Sequence, residues 1–141
     1  MRMSKQYCRV LYHVVWATLM RQHLIAESFK GQLHDFIKTK TRQMSGIPYA
    51  VGGVSDHVHC LIFIPPRVAV ATFIGNLKGA SSHWVNHHAK PGDDFAWQNG
   101  YGLFTISRDD QQGLVAYILN QELHHQRGTL RIALETMESE A

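Results

Sequence analysis

Two histidines stand one residue apart at the start of an apolar run, in "SDHVHCLIFIPP" at residues 55–66. In a β-strand, residues two apart point to the same face and lie about 6.5 to 7 Å from each other. His57 and His59 therefore share a face, and the residues on the opposite face are all apolar: Val58, Cys60, Ile62 and Ile64. We expect the apolar face to pack against helices and the imidazoles to lie on an open face. Two nitrogens placed in this way can converge on one divalent metal, with Asp56 in position to fix a ring tautomer.

An H-x-H pair alone is a weak motif, because two polar residues at the edge of a strand need have no function. One enzyme class can be excluded at this point. Nucleotide-binding histidine-triad hydrolases place His at three alternate positions of a strand, and the third position here is Leu61. The pattern therefore leaves two interpretations open: a pair of metal-binding histidines, or two polar residues at an ordinary strand edge.

The stretch "QQGLVAYILNQELHHQ" at residues 111–126 has helical periodicity. Its apolar residues form one arc at about 100° per residue: Leu114, Val115, Ile118, Leu119 and Leu123. Tyr117, Gln121 and His124 fall together on the flank of that arc, and Tyr117 lies one turn before Gln121. Taken separately, a tyrosine at the rim and a solvated glutamine are ordinary surface residues. Taken with the histidines, they support a hypothesis in which Gln121 gives a third, oxygen ligand and Tyr117 is a nucleophile.

The elements that must position these residues are predicted from periodicity and from turn residues. The strands are predicted at residues 7–18, 49–54 and 57–64, with a broken extended segment at 95–107. The helices are predicted at 27–45, from 70 to a point before Pro91, and from Asp109 or Asp110 to about Gln126, with Gly128 as the stop. A further short helix is predicted in the tail. This order is that of an α+β fold, a two-layer ferredoxin-like split βαβ sandwich with an antiparallel sheet and a C-terminal helix that carries the nucleophile. The first two helices cover one face of the sheet, and we expect the other face to be free.

The bulk properties favour a single domain spanning residues 1–141. The longest apolar stretch, "VLYHVVWATLM", is interrupted by His13 and Thr18 and is shorter than the roughly 20 residues of a membrane span. We also find no export sequence at the start, which favours the cytoplasm. Cys8 and Cys60 lie in strand-like runs, so we expect buried, reduced thiols. The pI of about 9.0 permits a polyanionic partner but does not establish one.

Several motifs occur together in a fixed order: "HVVWAT", "DHVH", "LKGASSHW", "WQNGYG" and "YILNQELHH". Over residues 13–126 the chain resembles the single-tyrosine HUH transposases of the insertion-sequence 200/605 family, which include the REP-associated tyrosine transposases. The chain departs from that pattern at Ser55, where many members have proline, and at "LMRQHLI", where a basic run is usual. None of these departures affects the four candidate site residues.

The resemblance implies a role for each of the four. His57 and His59 fall on the histidines that bind Mg²⁺ or Mn²⁺, Gln121 on the third metal ligand, and Tyr117 on the nucleophile. Such enzymes cut single-stranded or hairpin DNA, leaving a 5′-phosphotyrosine and a free 3′-hydroxyl, and rejoin strands without ATP. They commonly form homodimers in which the tyrosine helix of one subunit completes the site of the other.

Other residues are candidates for holding DNA: Lys78, Arg108, His124, Trp84 and Trp97. Their ordinary alternatives are core packing for the tryptophans and solvated charge for Lys78 and Arg108. A different class of protein also fits the fold, namely a nucleic-acid-binding module without catalysis. The complete set of His57, His59, Tyr117 and Gln121 favours the enzyme.

Overall fold

The computed structural model describes residues 7–89, 91–92, 94–128, 132–135 and 137. A four-stranded antiparallel sheet has the order β2-β3-β1-β4. Its strands are β1 (Leu11–Ala17), β2 (Ile47–Val54), β3 (His57–Phe63) and β4 (Gly102–Thr105). The helices are α1 (Glu27–Gln43), α2 (Val70–Trp84), α3 (Gln111–Leu119), α4 (Gln121–Arg127) and α5 (Ile132–Glu135), with a π-helical turn at Val85–Ala89 and 3₁₀ turns at Leu19–Arg21 and Arg108–Asp110. The predicted α+β split βαβ sandwich with a C-terminal helix is confirmed.

The larger core lies between the sheet and the pair α1 and α2. The helices contribute Phe29, Leu33, Ile37, Phe73, Ile74 and Leu77 to it. From β3 and the residue after it come Val58, Cys60, Ile62 and Ile64, the four residues predicted to face helices. The alternation read from the sequence is therefore correct, and it fixes which face of β3 the histidines occupy.

The other face of the sheet is not open, contrary to our expectation. α3 packs over β2 and β3 and forms a second buried cluster: Leu11, Ala50, Leu61, Leu114, Tyr117 and Ile118. The physical reason is the apolar arc of α3, which needs a partner surface and finds it around Leu61. As a result, His57 is 1% and His59 0% exposed.

Several boundaries differ from those predicted. β1 begins only at Leu11, so Cys8 lies before the strand and is exposed, and the expectation of a buried thiol is wrong for Cys8 and right for Cys60. The helix predicted to run to Gln126 is divided at Asn120, where the backbone leaves helical geometry (φ −107°, ψ 26°). Gly128 ends α4 in the left-handed conformation (φ 67°), as its type predicts. No helix in the described part of the chain has the length and apolarity needed to cross a bilayer.

Two glycines at the end of β2 allow close approaches of the backbone. A Cβ on Gly52 would lie 2.2 Å from the carbonyl oxygen of Ile118, so the main chain of α3 rests directly on the strand. Gly53 has φ +156°, and a Cβ there would lie 2.2 Å from the carbonyl oxygen of His57. The position of α3 above the histidines therefore depends on the missing side chain of residue 52.

We expect Gly52→Ala to displace α3 and to lower the free energy of unfolding by about 1 to 3 kcal/mol, the usual cost of overpacking. Chemical denaturation measures the loss, and hydrogen exchange of the α3 amides measures the displacement. Gly79→Ala is the matched control, because nothing lies within 4 Å of a Cβ on Gly79. An alanine in that open helical position should leave stability equal or raise it by roughly 0.5 to 1 kcal/mol. Wild-type stability and wild-type α3 protection in Gly52→Ala would contradict this account.

Candidate metal and nucleophile site

The two histidines lie at the start of β3, under α3 and α4, with their Nε2 atoms directed to the same carboxylate. His57 Nε2 is 3.2 Å and His59 Nε2 is 3.0 Å from the Glu135 carboxylate oxygens. The Nδ1 atom of His57 donates a hydrogen bond to Asp56 Oδ1 at 2.7 Å. This hydrogen bond from His57 to Asp56 fixes which nitrogen of His57 faces the site.

Gln121 is the first residue of α4 and is 1% exposed. Its Oε1 lies 3.2 Å from His57 Nε2. The structure thus brings together His57 and the amide oxygen that the sequence pairs with it, across 64 residues of chain. Gln121 is not a solvated helix residue.

Tyr117 belongs to α3 and is buried, with 3% of its surface exposed. Its ring meets that of His59 edge-on, with centroids 6.1 Å apart, and stacks on that of His124 at 4.5 Å. Its hydroxyl donates a hydrogen bond to Glu135 Oε2 at 2.9 Å. The alternative of a rim tyrosine with its hydroxyl in water is therefore wrong.

Glu135, at the end of α5, is the residue that sequence reasoning missed. Its carboxylate contacts His57, His59 and Tyr117, and one of its oxygens lies 3.6 Å from His125 Nε2. The sequence predicted only a short helix in this tail. It contains no periodicity that links an acidic residue after Gly128 to a strand some 75 residues earlier in the chain.

The electrostatics of the site follow from these contacts. Burial lowers the pKa of His57, but hydrogen bonds to Asp56 and Glu135 outweigh burial and raise the pKa to about 9. Burial also lowers the pKa of His59. For Glu135 burial acts to raise the pKa, but the contacts with His57 and His59 dominate and hold it well below its ordinary value. At neutral pH the site therefore contains a protonated His57 between two carboxylates and a neutral His59.

The donor atoms present fit a divalent ion. One ligand atom each from His57, His59 and Glu135 lies within 4.8 Å of the others, and the Gln121 oxygen lies beside them. His59 Nε2 is close to Glu135 but has no hydrogen bond of good geometry within the described residues. This buried imidazole nitrogen lies beside amide and carboxylate oxygens. Together they form a mixed nitrogen and oxygen donor set, which Mn²⁺ and similar ions accept.

The remaining predicted contact residues lie away from the histidines. Lys78 Nζ donates to the carbonyl oxygens of Gln98 and Gly100, at 2.7 and 2.8 Å, so it tethers that loop and is not a plain solvated charge. Arg108 is exposed and donates to the hydroxyl of Tyr7 at 3.0 Å. The tryptophans Trp84 and Trp97 pack at the margin of the α1 and α2 core. Of the candidates for holding DNA, only His124 adjoins the site, through its stacking on Tyr117.

Comparison with known proteins identifies the family. Residues 6–121 match the family model described as "Transposase IS200 like". The chain belongs to the IS200-like transposase family. This confirms the resemblance found in the sequence and makes the chain a relative of DNA-processing enzymes. The matched range includes His57, His59, Tyr117 and Gln121 but ends before Glu135.

Individual relatives agree with the assignment. The chain is 24% identical over 115 residues to the ISDra2 transposase TnpA of Deinococcus radiodurans, covering 78% of this chain and 82% of that protein. A crystal structure of a chain from the same organism, assigned as a transposase, is 25% identical with a TM-score of 0.63, covering 86% of this chain and 98% of that one. A REP-associated tyrosine transposase bound to a REP hairpin shares the fold, with 16% identity, a TM-score of 0.62, and coverage of 92% of this chain and 76% of that one.

We expect the metal-free protein to become less stable as pH rises from about 6.5 to about 9. The pKa of His57 is higher in the folded chain than the ordinary value of 6.5, so its stabilising contribution is complete below that value and is lost as pH rises through about 9. The loss is at most about 3 kcal/mol on the scale of 1.36 kcal/mol per pKa unit. Urea denaturation in excess chelator across this range measures it.

Glu135→Gln is the control for that experiment, because it removes one of the two carboxylates that hold the proton on His57. Its stability should decrease less than that of the wild type over the same range. A wild-type free energy of unfolding that stays constant from pH 6.5 to 9 would rule out a protonated His57 at the site.

Proposed function

We propose that this chain is a metal-dependent endonuclease and strand transferase for single-stranded or hairpin DNA, which cuts by attack of Tyr117. The observation that carries the proposal is the meeting of Tyr117, His57, His59 and Gln121 in one cluster of buried side chains, within a member of a transposase family. Support for the substrate class comes from the fold relative that is bound to a REP hairpin. A binding module without catalysis would have no need of this complete set.

His57 and His59 would hold Mg²⁺ or Mn²⁺ through their Nε2 atoms, with oxygen from Gln121, Glu135 or both. When bound, the ion offsets the charge that develops on the scissile phosphate and orients that phosphate for in-line displacement. On metal binding His57 would lose its Nε2 proton, and Asp56 would keep the remaining proton on Nδ1, so that the lone pair of Nε2 is the one turned to the site.

Tyr117 would form the new bond. Its hydroxyl oxygen attacks phosphorus, the bond to the 3′ oxygen breaks, and the departing oxygen takes a proton to become a free 3′-hydroxyl. The tyrosine proton is already directed to Glu135 Oε2, which is placed to accept it. The 5′-phosphotyrosine conserves the energy of the broken ester, so a second 3′-hydroxyl can reverse the step without ATP.

The position of Glu135 also affects how a DNA phosphate can reach the site. Its Oε2 lies 2.9 Å from the Tyr117 hydroxyl oxygen and 3.0 Å from His59 Nε2, in the space between the nucleophile and the metal-binding nitrogens. A scissile phosphate must enter that same space. The carboxylate must therefore shift to one side before cleavage, while it stays within hydrogen-bond reach of the Tyr117 hydroxyl whose proton it accepts.

We expect Tyr117→Phe to eliminate the covalent protein–DNA adduct while leaving the fold and the binding of hairpin DNA intact. The change removes one oxygen, and the ring keeps its packing in the buried cluster. The assay is incubation with single-stranded hairpin DNA and Mn²⁺, followed by a denaturing gel and mass spectrometry of the peptide that contains "GLVAYILNQ". Tyr101→Phe, which changes a partly buried tyrosine elsewhere, is the matched control and should form the adduct normally. An adduct that persists in Tyr117→Phe, or a nucleotide attached to another tyrosine, would rule out this role.

The same variant tests the shared homodimer that the resemblance implies. In the structure Tyr117 meets the histidines of its own chain. Mixing Tyr117→Phe with His57→Ala restores cleavage only if a helix from one chain completes the site of another. Absence of rescue in verified heterodimers would support the arrangement within one chain.

We expect Glu135→Gln to weaken Mn²⁺ binding by about tenfold or more, because it replaces an anionic ligand with a neutral one of equal size. Isothermal titration of metal-free protein measures the affinity. Glu122→Gln is the matched control: Glu122 is an exposed residue of α4 that pairs with Lys30, and its loss should not alter Mn²⁺ affinity. Unchanged Mn²⁺ affinity in Glu135→Gln would mean that Gln121 alone provides the oxygen ligand and that Glu135 only fills the pocket.

A further inference from the structure

His13 lies beside the proposed metal site, on the same face of the sheet as the two candidate ligands. It belongs to β1, is 0% exposed, and pairs in register with Leu61 of β3 and with Phe104 of β4. Its Nε2 lies 2.8 Å from Nδ1 of His59. The ring planes are 13° from parallel and the centroids are 5.1 Å apart, so the two imidazoles meet edge to edge through this contact, and the centroid of Phe104 lies 5.7 Å from that of His13.

We propose that His13 is a positioning residue, which fixes the ring orientation and the tautomer of His59 for metal binding. This inference rests on the proposed function. An imidazole ring can present either nitrogen to a site by turning about its outer side-chain bond, and a hydrogen bond to one nitrogen removes that freedom. With Nδ1 bound to His13, His59 can present only Nε2 towards Glu135 and Tyr117.

The two candidate ligands are then oriented by the same principle but by different partners. His57 has its Nδ1 bound by a carboxylate, that of Asp56, at 2.7 Å. His59 has its Nδ1 bound by a neutral ring at 2.8 Å. For His59 to ligate through Nε2, its proton must be on Nδ1 and must be donated to His13 Nε2, which then carries its own proton on Nδ1.

The chemistry of His13 argues against a purely packing role. Its Nδ1 is buried and has no hydrogen-bond partner within the described residues. A buried polar atom without a partner costs about 1 to 3 kcal/mol. Leucine or phenylalanine would fill the space between His59 and Phe104 without that cost. The position therefore contains a group that is unfavourable for packing and useful for hydrogen bonding to His59.

The test compares two kinds of variant. His13→Phe and His13→Leu fill the space with apolar atoms but lose the hydrogen bond. His13→Gln has an amide oxygen that can accept the hydrogen bond from His59 Nδ1. Mn²⁺ affinity is measured by electron paramagnetic resonance titration of the metal-free proteins, with circular dichroism as the check on folding. We expect the Phe and Leu variants to bind Mn²⁺ about 10 to 100 times more weakly, the usual effect of losing a hydrogen bond to a ligating histidine. His13→Gln should recover most of the affinity. Phe104→Leu alters the packing next to His13 but keeps its hydrogen bond, and its affinity should equal that of the wild type.

A second readout needs neither metal nor activity. Nitrogen-15 NMR of the histidine rings should give one tautomer for His59 in the wild type and in His13→Gln, and a mixture of tautomers in His13→Phe or His13→Leu. Either apolar variant that binds Mn²⁺ as tightly as the wild type overturns the proposal. If the wild type binds no Mn²⁺, the metal role in the proposed function fails, and the NMR comparison decides the role of His13. If Tyr117 proves not to be the nucleophile, the Mn²⁺ titration and the NMR comparison still test the role of His13.

Discussion

The burial of two imidazoles beneath α3 is the constraint on which the rest of the site depends. In water either nitrogen of His57 or His59 would be satisfied by solvent. Under the helix each nitrogen must be satisfied by the protein or left for an ion. Asp56 and His13 bind the two Nδ1 atoms, and both Nε2 atoms converge on oxygen. Burial thus fixes the orientation of both imidazole rings, because the partner of each Nδ1 atom leaves the ring only one orientation.

Sequence reasoning succeeded where the informative pattern was local. The alternation along β3 placed His57 and His59 on one face. The close spacing of Tyr117 and Gln121 placed both near the histidines, although the chain divides into α3 and α4 at Asn120 between them. It failed where a contact depends on how distant segments meet. Glu135 reaches the site after the chain has turned at Gly128, and His13 reaches His59 across the pairing of β1 with β3. Neither contact follows from a periodicity or a spacing in the sequence. The apolar arc of α3 indicated that the helix is buried, but not which surface it covers.

The segment that contains the nucleophile is held by contacts of different strength. The apolar residues of α3, among them Leu114 and Ile118, are buried against the sheet and provide most of the stabilisation. α4 is also tied to α1 by an ion pair between Glu122 and Lys30. An exposed pair of this kind contributes at most about 1 kcal/mol. α3 is therefore held mainly by apolar burial around Tyr117, and α4 is held by the buried side chain of Gln121 together with this weaker ion pair.

The contact between Gly52 and the main chain at Ile118 has a consequence for how the sequence of this helix can diverge. Where a helix packs on a sheet through its side chains, each substitution in the interface changes the distance between helix and sheet. Here the closest approach involves a carbonyl oxygen that every residue type possesses. The outward residues of α3 can therefore be exchanged in evolution while the distance between strand and helix stays the same. Selection acts instead on residue 52, which pairs with His59 across the two strands but gives no side chain to the site, and where even one methyl group would alter the spacing between strand and helix.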